Sequence, residues 1–152
     1  LYTQFKRNFM PLIQVNAPQD RLNKSDQDAL VSGISNAVLK AERAPIESVG
    51  AQSLVWAFYD ENPKTSIYVG SKNLQQPPFR IAVTTPQGAL TESARSLLVA
   101  EIGQIVDDIV GTYEGRLNHW VMLYELAEGS WGGGGQIFPL AGIQEVMDIK
   151  PA

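Results

Sequence analysis

The sequence predicts a single α/β domain: two βαβ units forming a four-stranded sheet, with both helices on one face. Three observations predict it. Short apolar or aromatic runs of strand length recur at 11–17, 54–60, 79–85 and 119–125. Two longer segments between them repeat apolar residues at helical spacing. The order strand, helix, strand then occurs twice, on either side of the polar linker KNLQQPP at 72–78. At 152 residues, 44% hydrophobic and 18% charged, the chain has the size and composition of one globular core, which sets aside disorder, collagen and coiled coil.

The first strand is PLIQVNA, starting at Pro11 and ended by Pro18 and the polar stretch QDRLNK. Residues 25–43 follow as a helix, with Ala29, Leu30, Gly33, Ile34, Ala37, Val38 and Ala41 on one stripe and Ser25 and Asp28 as a capping pair. After Ala44-Pro45 the run LVWAFYD at 54–60 reads as the second strand, stopped by Glu61-Asn62-Pro63. The run TSIYVGS at 65–71 reads as a short segment pairing with that strand or with an adjacent subunit.

The second unit repeats the plan with FRIAVTT at 79–85, a turn at Pro86-Gln87-Gly88, and a helix from Thr91 to about Val110. Its expected buried face is Ala94, Leu97, Leu98, Ile102, Ile105, Val106 and Ile109, with Gly111 and Gly115 punctuating its end. HWVMLYE at 119–125 closes the unit. The expected organisation is an extension over 1–10, a domain over 11–142 with units at about 11–71 and 79–125, and a tail over 143–152.

Crossovers between parallel strands are right-handed, so each unit contributes two parallel strands and both helices fall on one face. Leu12, Val55, Ile81 and Val83 are too many apolar residues for a solvated opposite face, and no third helix is available to cover it. Self-association is the expected cover.

Net charge is −4 and no basic run is interleaved with aromatics, so nucleic acid is not an expected partner. With no Cys and one His, His119, the sequence offers no thiolate nucleophile, no zinc-thiolate site and no His cluster; neither metal nor cofactor is expected. No apolar stretch reaches the ~18 residues of a membrane span, and the expected setting is cytoplasmic, without membrane contact.

Four landmarks in order carry a resemblance: PLIQVNAPQDRL directly after Met10, IYVGS, IVDD at 105–108, and WVMLYE followed by GGGGQIFPL. The chain resembles the tautomerase superfamily over about residues 10–142, most nearly its cis-chloroacrylic acid dehalogenase group and more distantly the malonate semialdehyde decarboxylase group. The resemblance implies a homotrimer acting on a small carboxylate or enol, with an amino-terminal proline as general base or acid and arginines gripping the substrate. It assigns the proline to Pro11. At the dehalogenase group's other positions this chain carries Val38 for a histidine, TTPQGALT at 84–91 for two arginines, Met122 for a tyrosine, and Gly133 and Gln136 for a glutamate and an arginine. Dehalogenation or hydration is therefore not expected, because both need a positioned acid–base group and a cationic clamp. Keto–enol isomerisation needs only a base and a pocket.

A terminal proline is a secondary amine whose basicity burial lowers toward neutrality, whereas an amide nitrogen is no base. Pro11 follows Met10, so its catalytic role requires that peptide bond to be cut; otherwise Pro11 starts a strand, and the protein is a catalytically altered member binding a ligand or partner. Arg80 is a cation in an otherwise apolar strand and is the candidate substrate-binding residue, its plainer role being an ion pair at an interface or sheet edge. His119 and Glu125 read as structural and solvated groups. Four glycines at Gly132–Gly135 permit positive φ, and this segment reads as a flap bordering the pocket or an intersubunit hairpin anchored by Trp131, Ile137 and Phe138.

Overall fold

A computed structural model describes residues 10–138. Of the expected extension only Met10 belongs to these, and the expected domain end at 142 and the tail at 143–152 lie outside them. The elements are β1 (Leu12–Pro18), α1 (Lys24–Ala41), α2 (Val49–Leu54), β2 (Trp56–Asn62), β3 (Phe79–Pro86), α3 (Glu92–Val110), β4 (His119–Leu126) and a two-rung hairpin, β5 (Gly132–Gly133) and β6 (Gln136–Ile137).

The main sheet has the order β2-β1-β3-β4, with β1/β2 and β3/β4 parallel and β1/β3 antiparallel, as two βαβ units placed side by side require. Alternation sends Ile13, Val15, Phe79, Ile81 and Val83 to one face, where Leu30, Ile34, Val38, Leu98, Ile102 and Val106 of α1 and α3 cover them. Each such side chain, removed from water, contributes roughly 1.5–3 kcal/mol. The helices approach closely at Gly33, where a Cβ would stand 3.2 Å from Ile105 Cγ2.

Several local expectations shift. Ile81 and Val83 lie under the helices, so the apolar character of the opposite face comes instead from Trp56, Phe58, Trp120 and Tyr124, all exposed. Leu97, expected on the buried face of α3, is 70% exposed because it points beyond the edge of the stripe set by Leu98 and Ile102. The cap of α1 is Asn23, accepting from the Asp26 amide at 2.7 Å, two residues ahead of the expected Ser25–Asp28 pair; Thr91, expected as the first helical residue, is the cap of α3. Residues 49–54 form α2, which the apolar content of 54–60 concealed, and the strand starts at Trp56. The 65–71 run does not pair with β2; Val69 and Lys72 bridge each other in a small turn.

The antiparallel register centres on Gln14 opposite Ala82. A local two-fold through that point relates the units, carrying Pro11 to Phe79, Leu12 to Arg80 and, through the parallel partners, Trp56 to Trp120. The chain thus has two equivalent ends, each formed by the start of one unit's first strand and the finish of the other unit's strands.

Candidate functional site

At one end the buried Pro11 opens β1, and its carbonyl accepts from the Trp56 amide at 3.3 Å, which ties the head of β1 to the head of β2. Beside it lies a cavity of about 690 Å³. Met10 and Pro11 form one wall, Trp56 and Phe58 of β2 another, Thr84 and Leu126 a third, and the segment from Ser130 to Gly134 with Phe138 closes it. Among the described residues none of the lining side chains carries a charge.

The closure explains the glycines. Gly134 and Gly135 have φ of 59° and 82°, the paired positive values of the two-residue hairpin turn whose twist matches its strands. Gly133 is required for another reason: a Cβ there would stand 2.5 Å from Phe138 Cε2. The Phe138 amide donates to the Trp131 carbonyl at 2.8 Å, so the hairpin holds both aromatics against the cavity.

Behind Met10 the packing turns unusual. Met10, Leu39, Ala44 and Ala51 form a small second core, with Trp131 and Phe138 packed on it. Glu42, the residue capping the end of α1, lies within the same region, 1% exposed. Neither carboxyl oxygen has a partner of hydrogen-bond geometry among the described residues. Burial holds its pKa well above the usual carboxylate range, and the nearby Met10 amide only partly offsets that. No sequence signal singles out Glu42, since a glutamate at a helix end reads as solvated.

Comparisons with known proteins place this arrangement. No family model and no curated protein matches the sequence. Solved structures do match. The fused 4-OT R7, an asymmetric trimer, superposes with a TM-score of 0.68 at 22% identity, over 83% of this chain and 94% of that one. N1, a member of the cis-3-chloroacrylic acid dehalogenase family, gives 0.70 at 14% identity, over 88% and 87%. Pt0534 inactivated by 2-oxo-3-pentynoate gives 0.68 at 21% identity, over 83% and 94%. The chain shares the fold of these structures. At these identities the likeness is one of fold, and the side chains of this chain decide its chemistry.

Within that fold Pro11 stands at the head of the first strand, beside the cavity just described. Val38 is buried in the main core. Gly133 lines the Pro11 cavity but brings no side chain to it. Arg80 is not brought to Pro11. Leu12 pairs with Thr84 and Asn16 with Arg80, so four residues of strand, ~13 Å at ~3.3 Å each, separate the two ends. Arg80 instead lines a second cavity, of about 730 Å³, at the other end of the sheet.

His119 lines that second cavity too. Its Nδ1–H donates to Asn118 Oδ1 at 2.6 Å, while the Asn118 amide group donates to Asp107 and to the Gly111 carbonyl. Burial lowers the imidazole pKa, with Asp107 pulling the other way. Glu125 forms an ion pair with Arg95 at 3.5 Å, both well exposed, and takes no part in either cavity. No group of three His, Asp or Glu able to hold a metal occurs among the described residues, and no helix among them is long and apolar enough to cross a membrane.

Proposed function

We propose that the protein is a tautomerase-like isomerase that moves a proton on a small enol or keto acid, with Pro11 as general base once the Met10–Pro11 bond has been cut. One observation carries this reading: Pro11 is buried at the wall of an uncharged, largely apolar cavity large enough for a small organic acid. There the lining disfavours an ammonium, so a freed prolyl nitrogen would hold its lone pair near neutral pH. It would take a proton from one atom of the substrate and return it to another. Cutting the bond removes Met10 from the cavity wall, which enlarges the space beside the new amine. The inactivation of Pt0534 by a 2-oxo acid supports the substrate class by likeness of fold.

The assembly we propose is a homotrimer. The face carrying Trp56, Phe58, Trp120 and Tyr124 is too apolar for water, and the fused 4-OT neighbour is a trimer. Light scattering of the purified chain checks it, and a monomer at micromolar concentration would contradict it.

Two measurements test the activity. Intact mass of the protein recovered from its own cells should show a chain starting at Pro11. That form should ketonise phenylenolpyruvate, and Pro11→Ala should lose ~10²- to 10⁴-fold. A chain that keeps Met10, with a rate indifferent to Pro11→Ala, would remove Pro11 from the chemistry.

A further inference from the structure

The local two-fold has a consequence at the Arg80 end. The second cavity is built from the counterparts of the residues that build the first: Phe79 for Pro11, Trp120 for Trp56, and Ser66 for Ser130. Even the closing turns correspond. Gly70 and Ser71, at φ of 56° and 66°, repeat the conformation of Gly134 and Gly135. Val69 bridges Lys72 as Gly133 pairs with Gln136.

The chemistry differs at the same positions. Leu12 is replaced by Arg80, Thr84 by Asn16 and Leu126 by Asn62, so an apolar lining becomes a polar and cationic one. Arg80 Nη1 donates to Asn16 Oδ1 at 3.1 Å, and Asn16 Nδ2 to Asn62 Oδ1 at 3.1 Å, a relay across three strands that fixes the guanidinium. Arg80 makes no salt bridge among the described residues, leaving most of its five donors unspent. Arg116 adds a second positive charge, its guanidinium stacked on the Tyr113 ring and donating to the Gln76 carbonyl. No acidic residue among the described ones lines the cavity, while Tyr68 and Trp120 supply aromatic walls.

We infer that this second cavity is a binding site for a small organic carboxylate with an aromatic or otherwise apolar body, the carboxylate taken by Arg80 and the body by Trp120 and Tyr68. It binds without proton transfer. The residue in Pro11's place is Phe79, whose nitrogen lies within the chain and donates to the Asn118 carbonyl at 2.8 Å. The duplication has thus yielded one cavity suited to a base and one suited to an anion. The assignment stands on the Arg80 end alone and does not depend on Pro11.

Phenylacetate serves as the probe, because it has the carboxylate and the ring but no enol to react. Titrated into the full chain, it should quench tryptophan fluorescence in the parent, in Trp56→Phe and in Trp131→Phe, but not in Trp120→Phe. The neutral 2-phenylethanol should bind at least tenfold more weakly to the parent, a comparison that needs no variant to fold. Arg80→Gln should weaken phenylacetate at least tenfold while leaving 2-phenylethanol unchanged, and Arg80→Lys should recover part of the loss, since a point charge lacks the paired donors. Equal binding of the two probes by the parent, quenching that tracks Trp56 instead of Trp120, or indifference of a folded Arg80→Gln protein would each overturn the assignment.

Discussion

Replacing Glu42 should make the protein more stable, and increasingly so as pH rises. Glu42 is 1% exposed, both of its carboxyl oxygens lack a hydrogen-bond partner of good geometry among the described residues, and it sits at the C-terminal end of α1, where the helix dipole also disfavours a negative charge. Burial therefore raises the native pKa of this carboxyl. A carboxyl with a raised native pKa means that the folded chain binds more protons than the unfolded one, so stability falls as pH rises. The loss is absent below the unfolded carboxylate range. It grows by ~1.4 kcal/mol per pH unit above that range and levels off past the native pKa. This is the reverse of an ion-paired carboxylate. Beneath it lies a pH-independent cost of ~1–3 kcal/mol for the unpartnered polar group.

Two variants separate these contributions. Glu42→Gln removes only the titration, so its stability should match the parent near pH 4 and exceed it progressively through pH 5, 6 and 7. Glu42→Met removes the polar group as well and should lie above Glu42→Gln by a roughly constant amount. Urea midpoints at each pH, at unchanged m, give the differences. His119 titrates in the opposite sense: burial lowers its pKa, so the native state loses stability as pH falls below the ordinary imidazole range. It is the same in parent and variant, and subtraction removes it. A gap between Glu42→Gln and the parent that does not change with pH would refute the reasoning, because the carboxyl would then be ionised in both states or reached by water. The outcome also bears on Pro11, since Glu42 lies behind Met10, the residue whose removal would create the catalytic amine.

Two further expectations concern the backbone around the site. Arg43 ends α1 at φ 60°, with the Ala44 amide donating to the Leu39 carbonyl at 2.8 Å, a helix stop that favours glycine; Arg43→Gly should raise stability by about 0.5–1 kcal/mol in thermal or urea unfolding, and a loss would show that its side chain contributes packing. Gly133→Ala should cost ~1 kcal/mol in the parent by displacing the Phe138 ring, and almost nothing once Phe138→Ala has vacated the space; additive costs in that double-mutant cycle would contradict the contact.

Much of the fold was legible because its signals are local. Alternation in FRIAVTT and helical spacing from Leu30 to Val38 and from Leu98 to Val106 report on residues a few positions apart, and handedness then orders the units. Thr91 marks a helix start and the glycine run a turn for the same reason. Strand register is not local. Pro11 and Arg80 each stood out in the sequence, but only the pairing of Leu12 with Thr84 and Asn16 with Arg80 shows that they face different cavities. A sheet apolar on both faces likewise leaves the inward side undetermined until the helices dock, which is how Ile81 and Val83 came to be buried while Trp56 and Trp120 remained outside. Glu42 is the sharpest case: in the chain it is an ordinary helix-end glutamate, and its burial, which raises its pKa, arises only when the fold brings the end of α1 against Met10, 32 residues away in sequence.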